Sequence, residues 1–377
     1  MGFTLVMPFL PLYFNQLGVA DMGRVAMWSG LSLAVTPALT AALSPLWGRL
    51  ADRFGRKIMV ERSLISFIFI MSWMAFVTKA WHVLALRALQ GIFAGYGALS
   101  LTMAADSAPE GRMPQAIGTV QTAQRLGPAL GPVFGGTIAA VVGLRRAFLV
   151  AAACYLVALV VVFLMYDEGL AHVHHETSED TGKTVTFRNV LAFENFLLMA
   201  LVIFGLQFVD RSFGPILPIY VEKLGTAAAR VPFVSGLLFS IAAGAGALGH
   251  HFCATLLKRR TAPQLIVATS ALGAAASVAY LAAPAVGWLF LATPFFGLAI
   301  GAGMTAAYSA AAGVIPVGAR GAGFGLLTTA SLVGMAVSPL VSGLLGAVSI
   351  RAVWALDLVW LTILAGVVHH FDEDKRA

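Results

Sequence analysis

The chain has 377 residues, 59% of them hydrophobic and 11% charged, with a mean hydropathy of +0.87. Soluble domains carry roughly 25% charged residues, so this composition cannot clothe a water-facing surface and its solvent is mostly lipid. The net charge of +7 does not point to nucleic acid, because the basic residues are scattered between apolar runs instead of clustering on one face.

A helix crossing hydrocarbon needs about 20 mostly apolar residues, since lipid cannot satisfy exposed backbone groups. Runs of this kind predict twelve spans, at 1–17, 26–47, 58–78, 82–105, 114–142, 146–166, 195–221, 232–256, 263–283, 287–311, 321–347 and 352–370. The polar stretch 167–194 divides them six and six. It predicts an N-terminal six-helix bundle over 1–166, a flexible cytoplasmic linker, and a C-terminal six-helix bundle over 195–377 with a short cytoplasmic tail.

Span one holds PFLPLYFNQLG at 8–18, and span seven holds PILPIYVEKLG at 215–225. Span seven has about 20 residues before its first proline and span one has seven, so about half of helix one and its lead-in is expected to be missing. Between spans two and three lies GRLADRFGRK, residues 48–57. Gly48 and Gly55 are expected to permit a tight reversal, with Asp52 placed ahead of helix three, where a carboxylate favours a helix N-terminus.

Span four carries RALQG at 87–91, and an Arg87 within hydrocarbon needs partners or water. Span five contains Gly118, Gly127, Gly131, Pro132, Gly135 and Gly136; every fourth residue from Gly127 to Gly135 is glycine, a smooth strip that lets another helix approach closely. Arg125 lies near mid-depth of the same span, and Asp210 and Arg211 near the middle of span seven. An aspartate held in low-dielectric surroundings is suited to bind and release a proton. Asp210 is therefore the preferred proton carrier, the plainer reading being that Asp210 and one of Arg125 or Arg211 neutralise each other. Asp357, a few residues into span twelve, reads as one partner of an interfacial pair, and Gln90, Gln121, Gln124 and Gln207 as polar lining. The histidines come in pairs without acids or cysteines at ligand spacing, and Cys154 and Cys253 both fall in apolar runs, so neither a metal site nor a disulfide is expected.

The likeness between the halves continues past the opening phrase at an offset of 206–207: Trp28-Ser29-Gly30-Leu31 aligns with Val234-Ser235-Gly236-Leu237, and Pro132 with Pro339. Two parallel six-span halves around a midplane site describe a transporter architecture. Of the basic residues near span ends, 14 fall on the side of the termini and seven on the other, which predicts cytoplasmic termini.

The loop spacing G-x-L-A-D-R-x-G-R-K resembles the loop 2–3 signature of the major facilitator superfamily, and the whole chain is similar to its twelve-span drug:proton antiporters of the bacterial multidrug-efflux type. The span-five pattern G-x8-G-x3-G-P-x2-G-G resembles that family's antiporter motif, and RALQG its fourth-span motif. The resemblance implies an all-α membrane protein with two pseudo-symmetric bundles. It also implies that Gly48, Asp52, Arg53, Gly55 and Arg56 gate the two states, with Arg56 paired to Asp106 at the end of span four. A proton-coupling and substrate cavity would then draw on Asp210, Arg211, Arg125, Arg87, Gln90, Gln121 and Gln124. The function implied is export of small, amphipathic or drug-like compounds by proton antiport with alternating access. The alternatives are an exporter or proton symporter of a specific metabolite or sugar, or a non-transporting membrane sensor. The expected setting is the bacterial inner membrane, as a monomer in the lipid bilayer. Small-molecule substrate and protons are the expected partners, with no nucleic acid, no cofactor and no enzymatic chemistry.

Overall fold

The structure, a computed structural model, describes residues 5–95, 99–100, 103, 113–166, 196–315 and 320–374. The linker and Asp106 lie outside the described residues. All regular structure among the described residues is helical. Spans one to six are carried by Leu10–Gln16, Met22–Phe54, Arg56–Met74, Ala80–Phe93, Met113–Val142 and Leu144–Met165. Span seven is the pair Phe196–Ser212 and Leu217–Lys223, and spans eight to twelve are Val231–Leu256, Ala262–Ala282, Val286–Val314, Arg320–Val348 and Ile350–Asp374.

Seven of these helices are long and apolar enough to cross a membrane, or eight when the bent pair of span seven counts as one. The others fall short for local reasons. Span three opens with Arg56, Lys57, Glu61 and Arg62 in its first two turns, and span four is 14 residues long as described.

The phrase repeated in spans one and seven builds the same device twice. Each copy is a short helix with a proline in its first turn, Leu10–Gln16 and Leu217–Lys223. A proline there removes a donor that the helix could not use anyway. In span seven the preceding segment enters at an angle, the two parts being bent by 43°. Each copy closes on a left-handed glycine, Gly18 at φ +88° and Gly225 at φ +91°. The phrase's tyrosine ties it to the next span but one: Tyr13 donates to the Met74 carbonyl at 2.6 Å and Tyr220 to the Tyr280 carbonyl at 2.7 Å. Met74 and Tyr280 are themselves counterparts, 206 residues apart.

Most packing stays within a half: span three lies on span six, span two on span four, span eight on span ten, and span seven on span eleven. The halves meet along two seams, span two against span eleven and span five against span eight. Glycines set both. A Cβ on Gly30 would sit 2.8 Å from the Gly343 Cα, and one on Gly136 would sit 3.3 Å from the Gly236 Cα. Gly30 and Gly236 are counterparts, as are Gly136 and Gly343, so one contact occurs twice about the pseudo-axis. Both seams lie near the start of spans two and eight and the end of spans five and eleven, hence toward one face of the molecule. Pro132 opens the ladder of span five there, and the Val133 N–H reaches Ser240 Oγ on span eight at 3.0 Å.

The loop between spans two and three is shorter than expected. Span two stays helical through Phe54, so Gly48 lies inside the helix and Asp52 in its last turn, not ahead of helix three. The cause is local: Gly48 to Phe54 contains no proline, and the chain turns only at Gly55, whose φ of +94° favours glycine. Arg53 rests over Phe54, its Cζ 5.3 Å from the ring centroid. Lys57 caps span six, donating to the carbonyls of Phe163 at 3.1 Å and Tyr166 at 2.6 Å.

Candidate transport site

Span seven ends its first segment on Asp210, Arg211 and Ser212, immediately before the bend that Pro215 and Pro218 impose. Arg211 Nε lies 3.1 Å from Asp210 Oδ2, and the two side chains keep 26% and 36% of their surface exposed. This acid–base pair borders a cavity of about 270 Å³. Gln207 lies one turn earlier on the same wall, His250 comes from span eight, Phe296 and Met304 from span ten, and Pro128 from span five. Gln207 Oε1 accepts from Ser331 Oγ at 3.3 Å, tying the wall to span eleven. His250 Nδ1 lies 2.7 Å from Thr305 Oγ1, a hydroxyl within reach of the Gly301 carbonyl at 3.3 Å.

The residues expected to form one cavity do not all meet. Arg87 is fully buried in span four, its Nη1 donating to Gln90 Oε1 at 2.8 Å, while Thr36 Oγ1 donates to the Arg87 carbonyl at 2.8 Å. Gln90 borders a separate cavity of about 190 Å³ with Thr36, Thr40 and Met335. Gln121, Gln124 and Arg125 are helical in span five, but their side chains, like those of Gly48, Asp52 and Gly118, lie outside the described ones. Gly127, Gly131, Pro132, Gly135 and Gly136 are all buried, with Gly135 facing the Leu5 carbonyl and Gly136 the Pro232 carbonyl.

Two functional candidates escaped the sequence reading. His250 stands beside His251, and the pairing hid that only one of them faces the cavity. Asp357 was expected in an interfacial pair, yet it is fully buried and its Oδ2 accepts from Ser212 Oγ at 2.6 Å. The helix face carrying Trp354 and Asp357 packs against spans seven and nine, with Trp354 stacked on Tyr280 at 4.2 Å. Depth along a helix does not reveal which face is covered.

A family model described as "Major Facilitator Superfamily" matches residues 1–292. The chain belongs to the major facilitator superfamily. Among curated superfamily members, the "Multidrug resistance protein MdtG" of Salmonella paratyphi A is 35% identical over 241 residues, which is 64% of this chain and 59% of that protein. The "Multi-drug resistance efflux pump PmrA homolog" of Lactococcus lactis is 34% identical over 269 residues, 71% of this chain and 65% of that protein. The chain thus spans about three fifths of the length of the curated relatives it matches. A crystal structure titled as a bacterial homologue of the human lysosomal transporter Spinster, in an inward-facing and unoccupied conformation, superposes with a TM-score of 0.80. It covers 97% of this chain and 92% of its own at 17% identity, which speaks for the superfamily fold.

Proposed function

We propose that this chain exports small, amphipathic or drug-like compounds from the cytoplasm by proton antiport, alternating access between two faces of a bacterial inner membrane. The observation that carries the reading is the Asp210–Arg211 pair at the bend of span seven, on the wall of a cavity that Pro128 of the first half also borders. A partly exposed carboxylate with a neighbouring cation is poised for exchange. A proton on Asp210 releases Arg211, and a cationic substrate group on Asp210 does the same, so proton and substrate compete for one carboxylate. Competition of this kind couples the two movements, because the carboxylate holds a proton or a substrate cation but not both.

The glycine seams provide the second requirement. With Gly30 against Gly343 and Gly136 against Gly236, the halves touch toward one face, which we assign to the periplasm. The described conformation is then closed on that side. The names of the relatives, both multidrug resistance or efflux proteins, favour export of drug-like compounds over a dedicated metabolite.

The test uses purified protein in liposomes. An imposed proton gradient should drive a cationic amphipath in the direction opposite to the protons, and Asp210→Asn should bind the compound more weakly and lose its response to the gradient. Substrate moving together with protons would refute the reading.

A further inference from the structure

The duplication that repeats the proline phrase also repeats a cavity. The cavity of about 190 Å³ is the counterpart of the one beside Asp210. Thr36, Pro37 and Thr40 on span two stand where Ala242, Ala243 and Gly246 stand on span eight; Gln90 and Ala94 replace Phe296 and Ile300; Met335 replaces Pro128. All of these pairs are separated by 206 or 207 residues, the offset of the whole duplication. Each cavity is thus roofed by a helix of the opposite half.

Their chemistry is opposite. The second-half cavity has an ion pair and a histidine on its wall. In the first-half cavity the polar atoms are turned to the protein itself. Thr36 Oγ1 donates to the Arg87 carbonyl at 2.8 Å, Thr40 Oγ1 to the Thr36 carbonyl at 2.8 Å, and Gln90 Oε1 accepts from Arg87 at 2.8 Å. What faces a ligand is an apolar wall of Phe67, Ala94, Leu332 and Met335, with the Gln90 amide N–H as its polar handle. Size narrows the class further. A dry cavity of about 150 Å³ holds one benzene, whereas drug-sized ligands fill roughly 300–1,000 Å³. The space accepts one ring or a short branched chain.

We propose that this cavity between spans two, four and eleven is a second binding site, specific for an uncharged ring-sized group with a hydrogen-bond acceptor for Gln90. The group is either a small molecule in itself or the apolar part of a larger cation whose charge rests near Asp210. The site goes beyond the export reading and needs no proton gradient to be seen.

The experiment measures binding of benzamide and of benzyltrimethylammonium to the full chain in nanodiscs, by saturation-transfer NMR with protein-free nanodiscs subtracted. Met335→Trp, which fills the first-half cavity, should weaken benzamide by about tenfold or more, roughly 1.4 kcal/mol. Ala243→Trp, its fill of the counterpart, should leave benzamide unchanged. Leu332→Phe serves as a second fill, and each variant is first checked for an unaltered unfolding temperature. If the first-half fills also weaken benzyltrimethylammonium, the site holds part of a larger cation; if only Ala243→Trp does, it holds a separate molecule, and both results uphold the site. Benzamide binding unchanged in Met335→Trp and Leu332→Phe, or weakened equally by Ala243→Trp, would overturn it. Loss of gradient-driven export with benzamide binding intact would instead count against the antiport reading alone.

Discussion

Ser212 supplies the one hydrogen bond that the fully buried Asp357 accepts among the described residues. Asp357 Oδ1 has no hydrogen-bond partner there, so removing the hydroxyl leaves the whole carboxyl unserved. A buried polar group left unsatisfied costs about 1–3 kcal/mol. Ser212→Ala should accordingly lower the unfolding temperature in detergent, and Asp357→Leu in the same background should recover part of the loss; an unaltered transition in Ser212→Ala would show the contact to be idle. This residue also shows where sequence reading stops. Trp354 and Asp357 are three apart on one face of span twelve, and that face turns to spans seven and nine. Apolar residues surround the helix on all sides in a membrane protein, so hydropathy does not tell the protein-facing side from the lipid-facing one. The same blindness grouped Arg87 and Gln90 with Asp210 and Arg211, whereas Gln90 borders a different cavity and the buried Arg87 lines neither.

At the scale of the helices, the seams make a sharper test than any single polar contact. A Cβ on Gly236 meets the Pro132 carbonyl, and one on Gly30 meets the Pro339 carbonyl. These are backbone atoms, which cannot swing aside as a flexible side chain can. Gly30→Leu and Gly236→Leu should therefore each force the halves apart toward that face. Spin labels near the start of span eight and the end of span five should move further apart in Gly236→Leu, with the proposed export falling in both variants. An unchanged distance would mean that the seam is not a closure. The sequence did expose the glycine strip of span five, because period-four spacing in a helix is a surface property. It did not expose the end of span two, since nothing in Gly48 to Phe54 distinguishes a helical turn from a loop except the absence of a breaker before Gly55.

For the molecule as a whole, the charge asymmetry of 14 against seven basic residues predicts that both termini face the cytoplasm. A green fluorescent protein fused after Ala377 should fluoresce in cells, and alkaline phosphatase fused there should be inactive; the reverse pattern would invert every assignment of face made above. The fold was legible at this scale because duplication writes it twice. Tyr13 and Tyr220 find equivalent carbonyls, the glycine contacts recur, and even the cavities correspond. Span two shows what such an arrangement does mechanically. Its 33 residues make a continuous helix about 50 Å long, well beyond the roughly 30 Å of hydrocarbon. Near one end it rests on span eleven through Gly30, and at the other it carries Arg49, Arg53 and the turn at Gly55. It is an oar with its lock inside the membrane: a tilt of about 10° about its middle swings each tip by about 4 Å in opposite senses. In the proposed alternation between faces, parting at the glycine seam and inward sweep of the arginine-bearing tip would be a single stroke.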